Sequence, residues 1–228
     1  MKMPEYGIEQ MINSALVCKR KSDTHERHYI GASLLGDQCD RKIWYYRYEP
    51  PAIKDGRVLR IFRIGDYFED FVIEMLRDAG VKVFNVDENG KQFGFVDGEV
   101  SGHCDGVVVG LPESDQPHVL EVKSMNNSTF NQLKKKGLKA TNIKYYGQIQ
   151  VYTLKLELQD GLFIAMNKDN QELYFERLKL DKFYAMALIE KGKEIAKLTT
   201  PPKRTFKKNF YLCNMCGKKK ECYEDTRE

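Results

Sequence analysis

The run Gly102-His103-Cys104-Asp105-Gly106-Val107-Val108-Val109-Gly110, followed after a short polar loop by His118-Val119-Leu120-Glu121-Val122-Lys123-Ser124, decides the reading of this chain. Asp105 opens the first apolar run, and Glu121 and Lys123 lie two residues apart in the second. Side chains of a strand alternate between faces, so Glu121 and Lys123 point one way while Leu120 and Val122 point into a core. Paired as a hairpin, the two runs bring Asp105 to Glu121 and Lys123. Two carboxylates and an ammonium then converge. Such a set holds a hard divalent cation, Mg²⁺ or Mn²⁺, and orients a water for phosphodiester hydrolysis. The Val122 carbonyl supplies a further oxygen, His103 shares the Asp105 face, and Lys123 stabilises hydroxide or developing charge. The plainer alternative for Glu-x-Lys in a strand is an exposed ion pair on the solvent side.

Neighbouring segments add to the set. Residues 57–78 read as a long amphipathic helix with Leu59, Phe62, Tyr67, Phe68, Phe71 and Val72 on its apolar face. Glu69 lies on this helix and reaches the site if the helix crosses the sheet. Residues 141–158 read as a helix on which Gln148 and Tyr152, four apart, share a face. Taken alone, they are a surface residue and a core aromatic.

With 228 residues, 31% charged and 42% apolar, the chain suits one ordinary globular domain with a full core and is not a disordered protein. No apolar run approaches the roughly 20 residues that span a bilayer, and no signal-peptide segment opens the sequence, so the expected place is the cytoplasm. The net charge of +4 does not by itself imply nucleic acid. The distribution says more. Lys134, Lys135, Lys136, Lys139 and Lys144 form one basic cluster, and others occupy residues 203–208 and 218–220. They read as a phosphate-tracking stripe or as solvated faces.

The remaining elements follow in order. Residues 5–20 read as an amphipathic helix and 19–28 as a charged linker. Ser33 is a candidate N-cap for a helix ending at Pro50-Pro51, with Trp44, Tyr45, Tyr46 and Tyr48 packing beneath. Strands are expected over 81–86, 93–96, 100–109 and 119–124, with turns at Asn89-Gly90 and Asp97-Gly98. A helix over 127–137, a hairpin of 161–167 and 173–178, and a last helix over 180–198 complete a mixed α/β core with helical flanks. The tail beyond Pro201-Pro202 is basic, aromatic and too short for a core of its own.

Six cysteines in a chain without a signal sequence point to metal or clusters rather than disulfides. Cys213-x-x-Cys216-x₅-Cys222 offers three thiolates, and a closed site wants four. Cys39 completes the set from far upstream. The alternative is a zinc site built on Cys213, Cys216 and Cys222 with another fourth ligand. Cys18 and Cys104 are read as buried apolar thiols.

Gly102-x-x-Asp105, Glu121-x-Lys123 and Gln148-x-x-x-Tyr152 resemble motifs II and III and the Q-x-x-x-Y motif of RecB-type nucleases of the PD-(D/E)XK superfamily. Gly65-x-x-x-Glu69 is similar to motif I, with Glu where many relatives have His. The Cys39 bracket is similar to the iron–sulfur staple of the Cas-four nucleases of CRISPR systems and of AddB, and residues 38–46 resemble their cysteine-proline-arginine box, with Asp40 in the proline position. The resemblance spans about residues 33–222. It implies a PD-(D/E)XK core with Asp105, Glu121 and Glu69 as metal ligands and Lys123 as the catalytic lysine, while Gln148 and Tyr152 position the lysine and the DNA. It also implies a [4Fe–4S] cluster on Cys39, Cys213, Cys216 and Cys222, with Zn²⁺ as the alternative.

One nuclease domain is therefore expected, with a helical segment over 1–56, a core over 57–200 and a cluster tail over 201–228. The expected activity is a metal-dependent exonuclease on single-stranded DNA ends, 5′→3′ favoured, in recombination, repair, phage DNA metabolism or CRISPR spacer processing. The alternatives are a binding module without catalysis and a nuclease subunit of a CRISPR integration or recombination complex.

Overall fold

Residues 100–109 do not form one strand. In the computed structural model, which describes residues 6–22, 29–50, 55–112 and 114–227, they split into β4 (Val100–His103) and β5 (Gly106–Val109), which belong to different sheets. The switch falls on Cys104 and Asp105. The Cys104 N–H donates to the Phe93 carbonyl at 3.0 Å, while its buried thiol lies 3.4 Å from the Gly106 carbonyl. Chain direction changes there, and Asp105 is released from both ladders.

The smaller sheet has the order β1-β4-β3, with β1 (Ile30–Gly31) parallel to β4 and β3 (Gly94–Asp97) antiparallel to it. The larger has the order β2-β5-β6-β7-β8, built from β2 (Lys82–Phe84), β5, β6 (His118–Met125), β7 (Asp160–Asn167) and β8 (Leu173–Lys179). β5 and β6 form the expected antiparallel hairpin, with Gly106 opposite Leu120. β6 and β7 are parallel, with Glu121 opposite Phe163. A parallel pair needs a crossover, which α5 (Asn127–Thr141) and α6 (Ile143–Lys155) supply. Asn126 caps α5 by accepting from the Thr129 N–H at 2.9 Å, and Asn142 caps α6 by accepting from the Tyr145 N–H at 3.1 Å. α5 kinks at Gly137, whose φ of 74° a residue with a β-carbon adopts only under strain, which is why the helical pattern read from sequence stops there.

Both faces of the large sheet are covered. On one, Val72 and Ile73 of α4 (Gly56–Asp78) pack on Leu120, Val122, Leu162 and Ile164. On the other, Phe130 of α5 and Ile149 and Tyr152 of α6 pack with Val119, Phe163 and Ala165. Each large apolar side chain removed from water in this way stabilises the fold by about 1.5–3 kcal/mol. α7 (Lys182–Ala196) adds Leu188 and Ile189 to the second face.

α4 departs from its expected burial: Phe62, Tyr67 and Phe71 are 51%, 55% and 47% exposed. A 23-residue helix is about 35 Å long. The sheet covers only the C-terminal half of one side, while α1 (Tyr6–Ser22) meets the N-terminal half through Asn13 and Arg60. Ser33 is not an N-cap. It lies inside the short α2 (Ala32–Leu35), and Cys39 takes the N-cap position of α3 (Asp40–Tyr48). Cys18 is exposed rather than buried, whereas Cys104 is buried as expected. Most of the expected linker over 19–28, and Pro51, lie outside the described residues. The tail carries only α8 (Tyr211–Asn214) and α9 (Lys219–Glu224), neither with a buried residue.

Candidate active site

β6 places Glu121 and Lys123 on one face, as the alternation requires, but that face is not the solvent side. Glu121 is 0% exposed and the Lys123 side chain 24%. The exposed-ion-pair alternative therefore fails. Asp105 arrives from the break before β5 and is fixed by accepting the Val122 N–H at 2.7 Å on Oδ2. Lys123 Nζ stands 2.5 Å from Glu121 Oε1 and 3.7 Å from Asp105 Oδ2, and it donates to the Val122 carbonyl at 2.8 Å. The ammonium thus lies among three of the oxygens expected to hold a metal.

Burying these groups together moves their protonation. Burial first, then Asp105, push Glu121 up to about 8, against the pull of Lys123. Burial and Asp105 likewise push Glu69 of α4 up to about 7. For Lys123 burial works downward, but Glu121 and Asp105 outweigh it and raise the ammonium above its ordinary range. Apart from the Lys123 ammonium, neither buried Glu121 oxygen has a hydrogen-bond partner among the described residues. Such a carboxylate is costly unless a cation sits against it.

α6 brings the other two candidates. Gln148 and Tyr152 are buried on its inner face. The Tyr152 phenol is raised by burial, then by Glu121 and Asp105, while a hydrogen bond with Gln148 opposes the shift. Tyr152 also explains the first residue of Gly102-x-x-Asp105. A β-carbon at Gly102 would stand 2.8 Å from the Tyr152 hydroxyl and 2.9 Å from the Ala32 β-carbon. Glu69, Asp105, Glu121, Lys123, Gln148 and Tyr152 are therefore gathered in one region by α4, the β4–β5 break, β6 and α6.

Two expectations are not met in this way. His103 shared a face with Asp105 only if one strand ran through both. The sheets switch between them, and His103 is exposed at the end of β4 with its ring beside Gly94. The basic cluster does not act as one stripe either. Lys134 pairs with Glu172 and Lys139 with Asp181, each at 3.5 Å, Lys135 and Lys136 are exposed, and Lys144 lies apart, half-buried, at the start of α6. Tyr145, which the sequence reading passed over, has its ring 5.8 Å from Lys123 Nζ. Its place three residues before Gln148 was the available signal.

The four cysteines of the bracket line one small cavity together with Asp37, Lys42, Lys218 and Lys219. Burial raises the Cys39 thiol, and burial raises that of Cys222 against the pull of Arg41. Among the described residues, no three His, Cys, Asp or Glu side chains are gathered closely enough to hold a single metal ion as they stand. At the acid site the Lys123 ammonium stands between the oxygens. At the cysteine cavity the thiols surround a space rather than a point.

The chain matches no family model and no curated protein. Solved structures do share its fold. The crystal structure of SSO0001 is similar over 94% of this chain and 96% of that one, at 16% identity and a TM-score of 0.55. An alkaline exonuclease from Laribacter hongkongensis, LHK-Exo, is similar over 82% of this chain and 90% of that one, at 13% identity and a TM-score of 0.53. The same exonuclease in complex with dAMP is similar over 75% and 87%, at 14% identity and a TM-score of 0.54. At these identities the likeness shows a shared fold. No described helix is long and apolar enough to cross a membrane.

Proposed function

We propose that this chain is a metal-dependent deoxyribonuclease acting on single-stranded DNA ends, with 5′→3′ polarity favoured. The observation that carries the reading is the buried cluster of Glu121, Asp105 and Lys123, in which the Lys123 ammonium is the one partner of the fully buried Glu121 carboxylate among the described residues. A fold shared with an alkaline exonuclease supports it. The donor set fits a hard divalent cation. Asp105, Glu121 and Glu69 would hold Mg²⁺ or Mn²⁺, with the Val122 carbonyl as a further oxygen. Bound there, the ion would neutralise phosphate charge and lower the pKa of an attacking water.

The chain's own groups supply the rest. Lys123 would turn from the acids toward the phosphate and stabilise the negative charge that develops on its oxygens. Tyr152 keeps its proton in this environment and, with Gln148, fixes the α6 face against which the lysine and the strand are positioned. The exposed Phe62 and Ile61 of α4 and Met11 of α1 stand N-terminal to Glu69, where a helical arch would admit a threaded strand. The four soft donors that line one cavity would suit an iron–sulfur cluster, and the flanking Lys42, Lys218 and Lys219 would suit anionic thiolates. It would join α3 to the tail.

A second reading has an observation of its own. Lys123 already neutralises the acids, as it would in a DNA-binding module that had lost catalysis. One assay separates the two. Purified wild type and Lys123→Ala are compared on end-labelled single-stranded DNA with Mn²⁺. Cleavage by wild type and a fall of at least ~10²-fold in the variant are expected for a lysine acting on transition-state charge. Binding without cleavage by wild type leaves the module.

A further inference from the structure

Lys144 belongs to the acid site rather than to the lysine-rich surface of α5. It lies four residues before Gln148, which lies four before Tyr152, so the three share one face of α6. Four residues of helix place Lys144 about 6 Å along the axis from Gln148. The two ends of this row meet different parts of the site. Tyr152 lies in the field of Glu121 and Asp105, and Tyr145, the neighbour of Lys144 in α6, has its ring 5.8 Å from Lys123 Nζ. The row therefore runs from the acids past Lys123 and ends in an ammonium group.

Packing fixes that end. A β-carbon at Gly36 would stand 2.7 Å from the Lys144 α-carbon and 2.8 Å from its carbonyl oxygen, so the turn between α2 and α3 lies against this backbone. Lys134, Lys139 and Lys42 each pair with a carboxylate, at 3.5, 3.5 and 2.6 Å. Lys144 has no ion pair or hydrogen bond among the described residues. Asp37 is the nearby acid, but its Oδ2 is taken by Lys42 and its Oδ1 by the Cys39 N–H at 3.1 Å. Burial first, then Lys42, lower the Lys144 pKa against the pull of Asp37, and Lys123 adds to the lowering. An anion placed here would relieve it.

We propose that Lys144 forms a phosphate subsite that takes the strand phosphate next to the one presented to Lys123. The subsite rests on the nuclease reading. Its ligand is a phosphate of single-stranded DNA, either an internal diester or the terminal monophosphate. Lys144 is a positioning residue in this scheme.

The test measures binding of labelled oligothymidine, with a 5′-hydroxyl or a 5′-phosphate, by anisotropy in chelator across a salt series. Wild type, Lys144→Ala, Lys144→Arg and Lys135→Ala are compared. Lys144→Ala should weaken binding ~5-fold or more and flatten the slope of log affinity against log salt by about 0.7, the loss of one single-strand phosphate contact. Lys144→Arg should restore both, and Lys135→Ala should change them less. In cleavage, KM should rise in Lys144→Ala while kcat stays within about twofold, as for lost uniform binding. An equal loss on both oligonucleotides assigns the internal diester, and a loss confined to the 5′-phosphorylated one assigns the terminus. Unchanged affinity and slope in Lys144→Ala, with wild type binding normally, overturns the subsite alone. Failure of wild type to bind any strand overturns the nuclease reading beneath it. A misfolded alanine variant leaves the decision to Lys144→Gln, which removes the charge and keeps most of the volume.

Discussion

The acid site and the cysteine cavity are built in opposite ways. The acids stand on a sheet whose register fixes them: Glu121 faces Phe163 across a parallel ladder, and Asp105 is tied to the Val122 N–H. The cysteines come from the two ends of the chain, and side chains of α3 do the joining. Arg41 is 0% exposed and donates to the Pro202 carbonyl at 2.8 Å, with Asp225 at 3.3 Å. Trp44 donates to the Leu198 carbonyl at 2.9 Å, and Tyr45 donates to Asp225. The acid site thus costs stability, holding carboxylates and an ammonium inside a complete core. The tail has no core of its own, and side chains of α3 hold it.

The contrast breaks most sharply at Cys39. With a cluster in place, Cys39→Ser should lower the thermal midpoint by roughly 10 °C, which for a chain of this size is about 4 kcal/mol. The same protein purified without oxygen should be brown and contain iron and sulfide, and the variant should lose both. A colourless wild type with stoichiometric zinc would replace the cluster with the zinc alternative. Gly102→Ala comes next. The new methyl meets the Tyr152 hydroxyl and Ala32, so an overpacking cost of about 1–3 kcal/mol is expected in chemical denaturation, with reduced cleavage because Tyr152 is displaced. Unchanged stability and activity would show that Tyr152 is free to move.

The smallest effect has the opposite sign. Glu121 is raised to about 8 from an ordinary 4.5, so the folded protein binds this proton more tightly than the unfolded chain. Its stabilising contribution is present below the unfolded pKa and is lost as pH rises through about 8. In chelator, wild type should therefore lose stability between about pH 5 and 8. Glu121→Gln should lose less and be about 1 kcal/mol more stable than wild type at the upper end, since a neutral amide replaces a buried charge. Mn²⁺ should stabilise wild type at that pH and leave Glu121→Gln nearly unchanged. Thermal scans across pH, with and without Mn²⁺, check both.

Much of this was legible in the residues. The 3.6-residue pattern located α1, α4, α6 and α7, and Asn89-Gly90 and Asp97-Gly98 marked turns. Glu121 and Lys123 shared a face because the strand period is two. What misled was continuity. Val100 to Val109 reads as one apolar run, yet a buried Cys104 and the close approach of Gly106 to the Phe84 carbonyl end one sheet and begin another. His103 fell with that assumption. Phe62, Tyr67 and Phe71 were placed inside because periodicity reports a face and not whether anything covers it.

Sequence alone determined which residues carry chemistry and on which side of their own element they stand, because alternation and helical phase are local properties of the backbone. Tertiary structure decided the environment. It buried the Glu121 face under α6, laid Lys123 among the carboxyl oxygens, separated Lys144 from the lysines of α5, and drew Cys39 to the tail across most of the chain. These are long-range outcomes, set by which faces find a partner to exclude water, and local pattern does not contain them.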